Sequence, residues 1–107
     1  MASNPDFVQY VADQCSGAGY ITYRKMFGDY GMYLDGKIFA LICDNQFFVK
    51  VTDAGKALAP ELKLAPPYEG AKPYFLVENI DNPAFLAELA RVTYEALPQP
   101  KKKRSKV

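Results

Sequence analysis

Between Asn4 and Gly17 the apolar residues Phe7, Val8, Val11 and Cys15 recur at the three-to-four-residue spacing of one helix face. Asn4-Pro5 supplies an N-cap followed by proline at the first helical position, and Gly17 supplies a stop. The pattern predicts a helix over 5–15. From residue 20 to 51 the chain is rich in aromatic and β-branched residues and is broken by short turns, which predicts antiparallel strands near 20–34, 37–43 and 46–51. Thr52 caps a short helix at about 53–59, stopped by Pro60. Residues 60–73 are Pro-rich and irregular, with room for one short strand. "YFLVE" at 74–78 reads as a strand. Asn82-Pro83 repeats the cap-plus-proline start, and Phe85, Leu86, Leu89, Val92 and Ala96 line a helical face up to Leu97. Residues 1–97 therefore read as a single domain and 98–107 as a disordered tail.

The turns fix a register. Asp35-Gly36 is a strong two-residue hairpin signal, because both residues tolerate the positive φ of a type I′ turn, and Asp44-Asn45 is a weaker one. With two-residue loops and no irregularity, Leu34 faces Lys37, Met32 faces Phe39, Gly31 faces Ala40 and Tyr30 faces Leu41. Across the second turn, Ile42 faces Phe47, Leu41 faces Phe48 and Ala40 faces Val49. Opposed residues share a sheet face. One face then holds Gly31, Tyr33, Ile38, Ala40, Ile42, Phe47, Val49 and Val51, and takes the helices. The other holds Tyr30, Met32, Leu34, Phe39, Leu41 and Phe48, with Lys37, Gln46 and Lys50 around them. A solvated face should alternate to polar residues, and this one does not. Two readings of it stand: a surface for a protein partner through Tyr30, Met32, Phe39, Leu41 and Phe48, or a face covered by the chain's own second helix or 60–73 segment. A one-residue slip would exchange the two faces.

Composition narrows the chemistry. There is no His in 107 residues, which removes the commonest general base and metal ligand. Cys15 and Cys43 both fall on apolar patterns, so they read as core thiols and not as nucleophiles. Carboxylates are scattered without paired spacing. These features imply no cofactor, no metal, no small-molecule substrate and no enzyme. No apolar run reaches membrane-spanning length, and the start lacks a signal pattern, so a cytoplasmic protein without membrane contact is expected. The charge is uneven. Residues 101–107 hold five of the 13 basic residues, which leaves 8 basic against 12 acidic in the body. The tail residues Lys101, Lys102, Lys103, Arg104 and Lys106 could give weak, sequence-blind nucleic-acid contact. A solubilising extension is the plainer use of such a tail.

Gly28 and Gly31 lack nucleotide-loop spacing and do not open a helix, so they read as a bend in the first strand and not as a phosphate cradle. Arg24 and Lys25, on opposite faces of that strand, read as a solvated edge residue and an ion-pair partner in preference to an anion site, with contact to a partner as the reading left open.

"RKMFGDYGMYLDGKIFALI" at 24–42, followed by "FFVKV", resembles the signature of the TfoX/Sxy family N-terminal domain, and "KPYFLVE" resembles its later strand. The resemblance covers about residues 15–96. Asp29 stands where the family usually has a second glycine. The resemblance implies an α+β fold, an antiparallel sheet with flanking helices ordered α-β(3)-α-β(2)-α, of the secretion-chaperone-like kind. Full-length relatives are regulators of natural competence that act with the transcription machinery and carry a helical C-terminal domain, and this chain ends before one. The resemblance implies no catalytic residues. It points to a regulatory module that captures a protein partner or self-associates as a homodimer.

Overall fold

The computed structural model describes residues 3–26 and 29–97. Helix α1 (Pro5–Cys15) runs into a 3₁₀ turn at Ser16–Ala18. Four strands follow: β1 (Ile21–Met26), β2 (Asp29–Leu34), β3 (Lys37–Cys43) and β4 (Gln46–Val49). Helix α2 (Asp53–Leu58), strands β5 (Lys63–Ala65) and β6 (Tyr74–Val77), and helix α3 (Pro83–Ala96) complete the order. The strands form one antiparallel sheet in the order β1-β2-β3-β4-β6-β5. The fold is α+β, an open antiparallel sheet with three helices, as the sequence predicts.

Local chemistry explains most boundaries. Asn4 caps α1 by accepting the Asp6 N–H at 2.8 Å, ahead of Pro5. Thr52 Oγ1 accepts the Gly55 N–H at 2.9 Å, and Asn82 Oδ1 accepts the Phe85 N–H at 3.2 Å. Both hairpin turns have two residues. Asp35 and Gly36 take φ of 50° and 85°, and Asp44 and Asn45 take 53° and 58°, the doubly positive pattern of type I′.

Two departures reshape the sheet. The segment 20–34 is not one bent strand: β1 pairs back on β2 from Ile21↔Leu34 to Met26↔Asp29, so the chain reverses between Met26 and Asp29. The first group therefore has four strands, one more than expected. Gly28 falls outside the described residues. The second departure is a bulge in β3. Leu34↔Lys37 and Tyr33↔Ile38 keep the turn's register, but Met32 pairs with Ala40, Gly31 with Leu41 and Tyr30 with Ile42. Phe39 is the extra residue. Beyond it every partner on β2 moves by one, whereas the β3–β4 register is the predicted one.

The bulge exchanges part of the faces. Helices α1 and α3 pack on the side that carries Tyr30, Met32, Leu34, Phe39, Ala40, Ile42, Phe47, Val49, Phe75 and Val77, which form one core cluster with Val8, Val11, Cys15, Leu86 and Leu89. Helix α2 lies on the same side, because a Cβ at Gly55 would stand 2.9 Å from the Phe75 ring. Burying each large apolar side chain of this set contributes about 1.5–3 kcal/mol. The basic tail with Lys101, Lys102, Lys103, Arg104 and Lys106 lies outside the described residues.

Candidate functional site

Among the described residues no helix covers the second side of the sheet. A row of paired residues crosses it: Arg24, Gly31, Leu41, Phe48, Leu76 and Lys63, one from each strand. Cations stand at the two edges and apolar residues in the middle. Tyr33 and Ile38 form the neighbouring pair. Leu41, Tyr33, Ile38 and Leu76 are half-buried, the state of apolar side chains packed edge to edge on an uncapped sheet.

The five residues expected to form one patch are therefore divided. Tyr30, Met32 and Phe39 stand under the helices; Met32 and Phe39 are fully buried. Leu41 and Phe48 alone stand on the helix-free side. The bulge at Phe39 is the physical reason for this correction, since it flips every β2 partner beyond it. Neither is the helix-free side bare. Phe48 is only 2% exposed. Pro67 of the β5–β6 connection is buried, and the adjacent Tyr68 shares a cleft with Leu41 and Cys43. The 60–73 segment thus covers part of this side and leaves the rest open.

That cleft, of ≈ 460 Å³, opens between Met26, Asp29, Tyr30, Leu41, Cys43 and Tyr68, so Tyr30, though in the core cluster, also reaches its wall. Its floor follows from Gly31. A Cβ there would collide with the Met26 Cε methyl and stand 3.0 Å from Ile38 Cδ1. The glycine lets Met26 lie flat across β2, so this member of the G-x-x-G pair serves close packing. Met26 is a polarizable, unbranched side chain suited to an adaptable contact.

Asp29 anchors the cleft's end. Its Oδ1 accepts from Ser3 Oγ at 3.0 Å and from the Asp44 N–H at 3.1 Å. Ser3 Oγ in turn accepts the Asn45 N–H at 3.2 Å, and Asn45 Oδ1 accepts the Asn4 N–H at 2.7 Å. One carboxylate thereby ties the N-terminal segment, the start of β2 and the β3–β4 turn together. Sequence reasoning noticed Asp29 only as a missing glycine. Its partners lie 15 and 26 residues away, so no local spacing marks them.

The cleft has little reactive chemistry. Burial, with the Asp29 carboxylate nearby, pushes the Cys43 thiol up to about 11, and burial alone pushes Cys15 to about 12. Burial, with Tyr68 and Cys43 close by, also raises the Tyr74 phenol. A thiol at 11 carries about a hundredfold less thiolate at pH 8 than one at 9, and thiolate is the reactive form. We predict that Ellman's reagent at pH 8 labels neither cysteine in the folded protein and both in guanidinium. Rapid labelling of Cys43 in the native state would contradict this. Among the described residues no three His, Cys, Asp or Glu side chains come together to hold a metal ion. No helix among them is long and apolar enough to cross a membrane.

Comparison with known proteins fits this architecture. Residues 13–97 match the family described as the TfoX N-terminal domain. A curated relative from Spirochaeta aurantia, described as an uncharacterized 12.7 kDa protein in the trpE 5′ region, is 35% identical over 108 residues, covering 99% of this chain and 93% of the relative.

Proposed function

The chain belongs to the TfoX N-terminal domain family, and on that premise we propose that it is a non-enzymatic regulatory module that docks a protein partner of the transcription machinery on the helix-free side of its sheet. The observation that carries this reading is the run of half-buried apolar residues Met26, Tyr33, Ile38, Leu41 and Leu76 on the helix-free side, of which Met26 and Leu41 line the apolar cleft. A carboxylate already engaged by two other chain segments and a thiol held neutral suit a pocket for an apolar side chain better than a catalytic centre. Two free, buried cysteines agree with a reducing, cytoplasmic setting.

The test uses Ile38→Glu/Leu41→Glu. Both side chains are half-buried on the helix-free side, so the double variant should keep a cooperative unfolding transition. Solution mass is measured for the domain alone and co-expressed with a candidate transcription factor, for wild type and variant. We expect a complex with the wild type that the variant loses. A complex of equal mass and stability with both proteins would remove this face from the function.

A further inference from the structure

The sheet has a free edge at β1. Strand β1 is outermost, and its pairing with β2 fixes which backbone groups are already used. The Asp35 N–H donates to the Tyr20 carbonyl at 2.9 Å, which makes Tyr20–Asp35 a hydrogen-bonded pair. Antiparallel pairs alternate, so Thr22, Arg24 and Met26 turn their N–H and C=O groups toward β2. Ile21, Tyr23 and Lys25 turn theirs outward. Three donors and three acceptors thus stand in an extended row with no backbone partner among the described residues. The opposite edge, β5, has only three residues, and its Lys63 is paired with Glu78 at 3.4 Å.

The side chains of β1 select the partner. Arg24 and Lys25 are both exposed and make no ion pair among the described residues. Because successive strand residues point to opposite faces, one cation flanks the edge on each side of the sheet. A second copy of this chain suits the edge poorly. Two-fold pairing of β1 with itself that keeps both helical layers on one side places Arg24 opposite or diagonal to its own equivalent, and like charges across a strand pair are unfavourable. A nucleic acid would satisfy the charges but could not supply the alternating donors and acceptors that the edge requires. An extended acidic peptide satisfies both.

We infer that β1 is a strand-addition site for an extended acidic segment of a partner protein, with two consecutive carboxylates opposite Arg24 and Lys25 and β-branched residues on either side. The inference rests on the interaction-module reading above but uses different residues, so the two fail separately. The main-chain row supplies affinity and the two cations supply selectivity.

The probe is an acetylated, amidated hexapeptide, Val-Thr-Glu-Glu-Val-Thr, with Val-Thr-Lys-Lys-Val-Thr as its charge-reversed control. Each is titrated into the full chain at low salt and followed by amide hydrogen exchange. The expected result is an alternating pattern, with exchange slowed at Ile21, Tyr23 and Lys25 by about tenfold near saturation and unchanged at Thr22, Arg24 and Met26. The lysine peptide should not bind. Arg24→Glu/Lys25→Glu, a pure surface change, should invert the preference between the two peptides. Lys25→Pro, which removes an outward N–H that the sheet does not use, should abolish binding while Ile38 and Leu41 stay in place. Absence of protection up to millimolar peptide, protection without alternation, equal binding of both peptides, or the same amide shifts with a DNA duplex would each overturn the inference. An edge that fails this test while Ile38→Glu/Leu41→Glu still loses its partner would leave the docking face standing alone.

Discussion

Phe39→Ala is expected to destabilise the domain by about 3–5 kcal/mol, whereas Leu41→Ala, two residues on, should cost only about 1 kcal/mol. The contrast follows from the bulge. Phe39 is the inserted residue of β3, is 0% exposed, and sits in the core cluster with Ala40 beneath α1 and α3. Removing its ring leaves a cavity in the core between the sheet and the helices. Leu41 faces the helix-free side and is only half-buried. Small domains are stable by about 5–15 kcal/mol, so the Phe39 change alone removes a large part of the total. Urea unfolding followed by circular dichroism measures both variants, with the slope checked for constancy. The unbulged register puts both side chains on one face and predicts matching costs. Equal losses for the two variants would refute the bulged pairing and, with it, the division of the five candidate residues.

Those five residues mark where sequence reasoning works and where it stops. Caps and tight turns were legible because each is a local bargain between a side chain and a nearby backbone group. Asn4-Pro5, Thr52, Asn82-Pro83, Asp35-Gly36 and Asp44-Asn45 all do what their chemistry requires. Most of the elements followed from them and from the spacing of apolar residues, and the family resemblance implied the fold class. The phase of β3 did not. "KIFALIC" is apolar on both faces, and a run without polar alternation carries no signal that tells one side from the other. A bulge in its middle therefore left no trace. The reversal between Met26 and Asp29 was missed for the same reason, since strand-forming residues continue on both sides of it. The free edge was half visible: Arg24 and Lys25 stood out, but their placement on the outermost strand depends on the hairpin that the pattern concealed. Asp29 and Lys37 escaped for a different reason. Both are polar residues whose partners are remote in sequence, and a single chain read along its length pairs only neighbours.

Lys37 is expected to give the other large effect. Helix α3 ends at Ala96 with no basic residue in its last turn, so its final carbonyls lack the cation that commonly caps them. Lys37 supplies it from the sheet. It follows the Asp35-Gly36 turn, pairs with Leu34, and is only 6% exposed. Its Nζ donates to the Tyr94 carbonyl at 3.0 Å and the Leu97 carbonyl at 2.9 Å, and sits 4.3 Å from the centre of the Tyr94 ring. The ammonium thus clamps the C-terminal end of α3 to the hairpin that carries the bulge. Lys37→Met keeps the long stem and much of the packing, but leaves two carbonyls without their charged donor and the ring without its cation. Charged hydrogen bonds of this kind contribute about 1.5–3 kcal/mol, and a shielded cation–π contact can add up to about 2 kcal/mol. The expected loss is about 2–4 kcal/mol, and it should not be uniform. Amide exchange should accelerate first at Leu97, whose N–H closes the last turn on the Thr93 carbonyl at 3.1 Å, before the helix centre responds. A Lys37→Met variant that unfolds within about 0.5 kcal/mol of wild type, or whose exchange rises evenly along α3, would show that water satisfies those carbonyls equally well and that the hairpin does not anchor the helix.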